Sequence, residues 1–149
     1  MNRKEAWPEL LDEVFQRHYT TEFEWGVFDC CIFVCECIHA MTGIDMYADF
    51  KGKYTTELEA HQLVSDYVGL EYKSSIKFVS EIAEYFCSKY KLQVVEKSFA
   101  QRGDIALIDL EGMVTVGVVM LNGTHVAAPA YKKGLAFVPL KLCKKVWRV

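Results

Sequence analysis

Trp7, Leu10, Leu11, Val14, Phe15 and His18 recur at i, i+3, i+4, i+7, i+8 and i+11. That spacing lines one stripe of an α-helix and predicts an amphipathic helix over residues 5–18. Pro8 falls in its first turn, where the missing N–H has no intrahelical partner to lose. His18 closes the stripe and reads as a core or capping histidine. Residues 19–28 carry Phe23, Trp25 and Phe28 without periodicity and read as a loop. A nearly continuous apolar run follows, with Asp29 in front and Gly43 behind. It predicts a helix over 29–42 buried almost all round, Asp29 capping its free amides and Gly43 supplying the left-handed stop. Residues 44–54 read as a long ordered loop. Thr56-Glu57-Leu58-Glu59 has the spacing of a capping box and opens a helix to about Tyr67, ended at Gly69; His61 lies on it among polar neighbours and is expected to be exposed. Ser75 is expected to cap a fourth helix with Ile76, Val79, Ile82, Ala83, Phe86 and Tyr90 facing inward and Cys87 beside them.

The period then changes. Candidate strands lie at 92–96, 104–109, 114–121, 124–128, 135–139 and 145–149. Asn122-Gly123 is the strongest short hairpin signal in the chain. A two-residue turn there would pair Leu121 with Thr124 and Met120 with His125, leaving His125 near the hairpin tip. Helices followed by alternating segments predict an α+β fold: the Cys30 helix packed on a mostly antiparallel sheet of about five strands.

At 149 residues the chain is long enough for one sizeable core, and the expectation is a single domain over 1–149. A hydrophobic fraction of 52%, with 8 Tyr, 9 Phe and 3 Trp, argues for a folded protein. The net charge of −3 and the lack of a basic stripe exclude nucleic acid as the expected partner. No apolar run is long enough to cross a membrane. The charged start, Met1-Asn2-Arg3-Lys4-Glu5, lacks the apolar core of a secretory signal, so synthesis in a cytoplasm is expected.

Six cysteines are present, and Cys30, Cys31, Cys35 and Cys37 crowd onto one predicted helix. Crowded thiols cannot form a spaced disulfide framework, and they read as reduced. A zinc site is the sharp alternative. Cys30 and Cys37 are two turns apart while Cys31 and Cys35 point elsewhere, so one rigid helix cannot wrap all four around an ion. Small apolar core filler is the expectation for most of them, with no metal and no cofactor.

Cys30 differs from the rest by its place at the first helical position behind Asp29. The helix macrodipole favours negative charge there, and the thiolate is the nucleophilic form of cysteine. Trp25-Gly26, then Asp29-Cys30 opening a helix, then Arg102-Gly103-Asp104 entering a strand, Thr115-Val116-Gly117-Val118 and the Asn122-Gly123 turn follow in that order. The set resembles the NlpC-type cell-wall cysteine peptidases, which have a papain-like fold, and the compact layout is similar to small phage-encoded members found among tail proteins. The resemblance covers roughly residues 23–128. It implies Cys30 as nucleophile, with Asp29 fixing the turn that presents it. It also implies a peptidoglycan stem-peptide substrate, and other tail proteins as partners within a virion.

The same resemblance exposes a gap. The family's base, a histidine heading the strand, falls on Thr115, and its orienting residue on the next strand falls on Ala127. Neither side chain can take a proton from a thiol near neutral pH. His125 lies about five residues from Thr115 along the hairpin, roughly 17 Å at the usual strand rise. His39 sits nine positions further on the Cys30 helix; His18 and His61 remain open as partners. Trp25 and Tyr47 are the candidate substrate-contacting side chains, although the aromatics of the 44–54 loop could equally cover the core. Three functions therefore stand: a degenerate, structural or binding domain of a phage tail; an active thiol hydrolase; and a protein whose thiols bind metal or respond to redox state.

Overall fold

The computed structural model describes residues 1–69, 75–110 and 113–149, with the backbone alone at 75–77 and 110. Four helices, α1 (Trp7–His18), α2 (Cys30–Thr42), α3 (Glu57–Val68) and α4 (Ser75–Lys89), precede six strands. The strands are β1 (Gln93–Val95), β2 (Ile105–Leu110), β3 (Met113–Val119), β4 (His125–Ala130), β5 (Gly134–Pro139) and β6 (Cys143–Arg148). They form one sheet in the order β1-β6-β2-β3-β4-β5, antiparallel throughout. The α+β reading holds. The sheet has six strands rather than about five, because Gln93–Val95 joins it at the outer edge of β6.

The helix ends follow their residues. Asp29 accepts the Ile32 N–H at 2.9 Å, and Gly43, at φ 80°, closes α2 through the His39 carbonyl. Thr56 accepts the Glu59 N–H at 3.2 Å, while the Glu59 carboxylate reaches one residue further back than a strict capping box, to the Thr55 amide at 2.7 Å. The expected cap at Ser75 and the inward face at Ile76 lie outside the described side chains.

α2 is the central element. Phe33, Cys37, Ile38 and Met41 bury one side of it against Leu11, Val14 and Phe15 of α1 and against Val116, Val118 and Ala127 of the sheet. Ile32 turns the other way, into a second cluster with Phe50, Tyr54, Ala60, Val64, Phe78 and Ile82. Alternate strand residues, Ala106, Ile108, Val119, Val126 and Val146, make a third cluster on the opposite sheet face. Val95 of β1 and Val138 of β5 both join it.

His61 is a correction. It was expected among solvent-facing neighbours but is 5% exposed. Its ring lies 3.8 Å from that of Phe78 on α4, and its Nε2 is 3.7 Å from Glu57. Burial lowers its pKa, with the Glu57 carboxylate opposing in part. The local sequence of α3 is polar around it; the apolar partner comes from another helix.

Asp104 fastens the two ends of the described chain to β2. It is fully buried and accepts hydrogen bonds from Arg3 Nη2 at 3.1 Å, Arg148 Nε at 2.9 Å and the Gln101 amide at 2.8 Å. Arg3 stacks on Trp7 as well, 4.4 Å from the ring centre.

Candidate active site around Cys30

The site is built on the turn 24–29. Phe28 and Glu24 bridge, and Gly26 sits at φ +74°. A Cβ there would lie 2.2 Å from the Tyr54 carbonyl oxygen, so the 44–54 loop can pack on this turn only because residue 26 is glycine. The Gly52 amide donates to the Gly26 carbonyl at 2.7 Å, strapping loop to turn. Asp29 is 2% exposed and its two oxygens serve three donors: Ile32 N–H, Gly26 N–H at 2.9 Å and the Tyr54 hydroxyl at 2.6 Å. Burial, then the Asp29 charge, pushes the Tyr54 phenol well up, which keeps it a donor. Every oxygen of Asp29 is thus committed to structure, in agreement with a capping rather than an acid–base role.

That arrangement gives a stability prediction. An N-cap alone is worth about 1 kcal/mol. Asp29→Ala also strands a buried tyrosine hydroxyl and a buried amide, each costing roughly 1–3 kcal/mol. Urea unfolding should show a loss of about 3–7 kcal/mol; a loss below about 0.5 kcal/mol would contradict the cap.

Cys30 is half-buried at the start of α2. The strand opposite explains its environment. β3 pairs with β2 along its length, Ile105 opposite Val118 through Leu110 opposite Met113. With β4 its ladder is short: Val118 opposite Ala127 and Val119 opposite Val126. The Met120 amide donates to the His125 carbonyl at 2.8 Å, as the Asn122-Gly123 turn predicts. At Gly117 the strands still touch, for a Cβ there would sit 2.4 Å from the Ala127 carbonyl oxygen. Beyond that point β4 follows β5, Pro129 opposite Leu135. Val119 bonds to Asp104 on the β2 side, so alternation points the Val116 amide to the β4 side, where β4 has turned away. The N-terminus of α2 docks at this split.

Cys30 consequently has the Cys31 thiol, the Thr115 hydroxyl and the Val116 amide as donors to its anion. The Cys31 sulfur is 4.0 Å away. These donors, Cys31 foremost, lower the Cys30 pKa against burial and the Asp29 charge, whereas Cys31, as donor and by burial, is raised well above the ordinary thiol value. Burial pushes Cys35 and Cys87 up to about 12 and Cys143 up to about 11. Cys30 is therefore the thiol that ionises first among these. All six cysteines are free thiols. Among the described residues no three His, Cys, Asp or Glu side chains converge on a metal-binding geometry.

Thr115, at the position where the resemblance places a base, does lie beside Cys30. Ala127 is fully buried opposite Val118. The histidines are engaged elsewhere. His18 Nδ1 meets Thr21 at 3.2 Å and Nε2 meets Glu36 at 3.1 Å, with the ring stacked 4.4 Å from Phe28. His125 Nδ1 meets the Thr124 hydroxyl at 2.9 Å. His39, exposed near the C-terminal end of α2, packs edge-on toward Tyr47 at 6.1 Å. His61 holds Phe78 and Glu57 as described.

Cys30 opens into a groove of about 900 Å³. Trp25 and Tyr47 both line it, as do Phe50 and Phe86. Sequence reasoning missed Tyr54 and the Val116 amide that faces Cys30; the pairing of Tyr54 with Asp29 spans 25 residues and carries no local signal.

A family model spans residues 2–149, and the chain belongs to that family, DUF6950, a domain of unknown function. No curated protein matches the sequence.

Proposed function

We propose that this is a papain-like, NlpC-type domain whose cysteine site has lost hydrolytic turnover and which serves as a structural or binding component. The observation that carries this reading is the pairing of Cys30 with Thr115. A thiolate can attack a carbonyl, but expulsion of an amine requires a proton. Threonine cannot deliver one, and the imidazoles are held by other partners. The reading is further supported by a nucleophile-type cysteine at the N-terminus of a buried helix packed on an antiparallel sheet. Its place in a phage tail follows from the likeness of the compact layout to tail-associated NlpC-type members, and detection of the chain in purified virions tests it.

An active thiol hydrolase acting on peptidoglycan stem peptides is the second reading. The donors around Cys30 and the open groove favour it. Incubation with peptidoglycan and with a synthetic stem peptide separates the two. The expected result is no product above a Cys30→Ala control. Cleavage by the wild type that disappears in Cys30→Ala would establish the hydrolase and overturn the degenerate reading.

A further inference from the structure

The same missing proton donor that blocks amide cleavage leaves one kind of acyl chemistry open. An amine must be protonated to leave; a thiolate need not be. The groove above Cys30 also has a definite character. Trp25, Phe50, Phe78, Ile82 and Phe86 line it, and its ionisable lining groups are largely committed. Asp29 caps α2, His61 faces Phe78 and Glu57, Cys35 and Cys87 are raised by burial, and Cys31 is raised by its hydrogen bond to Cys30 and then by burial. Lys133 is a cationic lining residue. A volume of about 900 Å³ lies at the large end of small-molecule sites, which run roughly 300–1,000 Å³.

We infer that Cys30 accepts an apolar acyl group from a thioester donor and holds it in this groove as a persistent S-acyl adduct. The inference rests on the reading above, that no group beside Cys30 delivers or removes a proton. The Cys30 thiolate attacks the thioester carbonyl carbon. A carbon–sulfur bond forms to Cys30, the carbon–sulfur bond to the carrier breaks, and the carrier departs as a thiolate with the electron pair. One thiolate is consumed and one is released, so no proton needs to move. Removing the acyl group by water would require a base to take the water's proton, and Thr115 cannot serve. The adduct therefore persists. The apolar lining selects the chain: each methylene buried against such side chains favours binding about fourfold.

The test uses the full chain with the octanoyl and acetyl thioesters of N-acetylcysteamine, read by intact mass and peptide mapping. One octanoyl group is expected on Cys30, formed at least about tenfold faster than the acetyl adduct. It should persist in buffer, be released by hydroxylamine, and be absent from both Cys30→Ala and the volume-matched Cys30→Ser. No adduct, equal octanoyl and acetyl rates, or labelling of another cysteine at the wild-type rate in those variants would overturn the inference. Catalytic release of octanoate would overturn it too, and the degenerate reading with it, since water would then be activated. Absence of an adduct in a protein that also leaves stem peptides uncut overturns the acyl inference alone.

Discussion

On the proposed reading, Thr115→His is expected to turn a protein without amide turnover into a measurable hydrolase. The hydroxyl of Thr115 already lies beside the Cys30 sulfur, so an imidazole on the same Cβ starts from the side of the split that faces it. Such a group can take the thiol proton and return it to a leaving amine, which is typically worth about 10²- to 10⁴-fold in rate. Cleavage of a stem-peptide amide should rise by about that factor over the wild-type background and vanish in the double variant with Cys30→Ala. Adding a histidine at Ala127 is a harsher change, because that side chain is fully buried opposite Val118; overpacking of this kind costs roughly 1–3 kcal/mol. The single variant is therefore the cleaner trial. A folded Thr115→His protein in which Cys30 alkylates normally yet no amide is cut would show that more than the base is missing.

Asp104→Ala should destabilise the fold more than any surface change. Its carboxylate is fully buried between Arg3, itself mostly buried, and the more accessible Arg148. Removing one partner of a buried ion pair leaves uncompensated charge and costs about 3–5 kcal/mol. Here it also leaves the Gln101 amide without its acceptor. The thermal midpoint should fall by roughly 6–20 °C, at about 2–4 °C per kcal/mol for a chain of this size. A shift under about 3 °C would mean that the cluster contributes little. Asp104→Asn keeps the acceptor and loses the charge, and an intermediate loss is expected for it.

What the sequence could and could not disclose follows from the range of the interactions. The α2 helix was legible because its determinants are adjacent: Asp29 in front, an apolar run, Gly43 behind. The β3–β4 register was legible because Asn122-Gly123 sets it locally. The Asp104 cluster was not, since Arg3 and Arg148 lie 101 and 44 residues away. His61 was misread for the same reason: its neighbours in sequence are polar, and Phe78, which buries it, belongs to another helix. The divergence of β3 from β4 beyond Gly117 is marked in the sequence by Pro129 alone, which the Val118–Ala127 register sets opposite Val116 and which has no N–H for a ladder; strand periodicity reports faces and not where a ladder ends. Yet that divergence is what frees the Val116 amide for Cys30. The candidate nucleophile could be named from residues alone; its donors required the fold.

The central claim is that Cys30 is favoured as an anion by neutral donors and has no imidazole partner. The rate of Cys30 alkylation by iodoacetamide as a function of pH measures this directly. A single ionisation is expected, with a midpoint below the ordinary thiol value of about 8.5 and raised again in Thr115→Val. A reactive plateau reaching down to about pH 4, of the kind a thiolate–imidazolium pair produces, would contradict the claim.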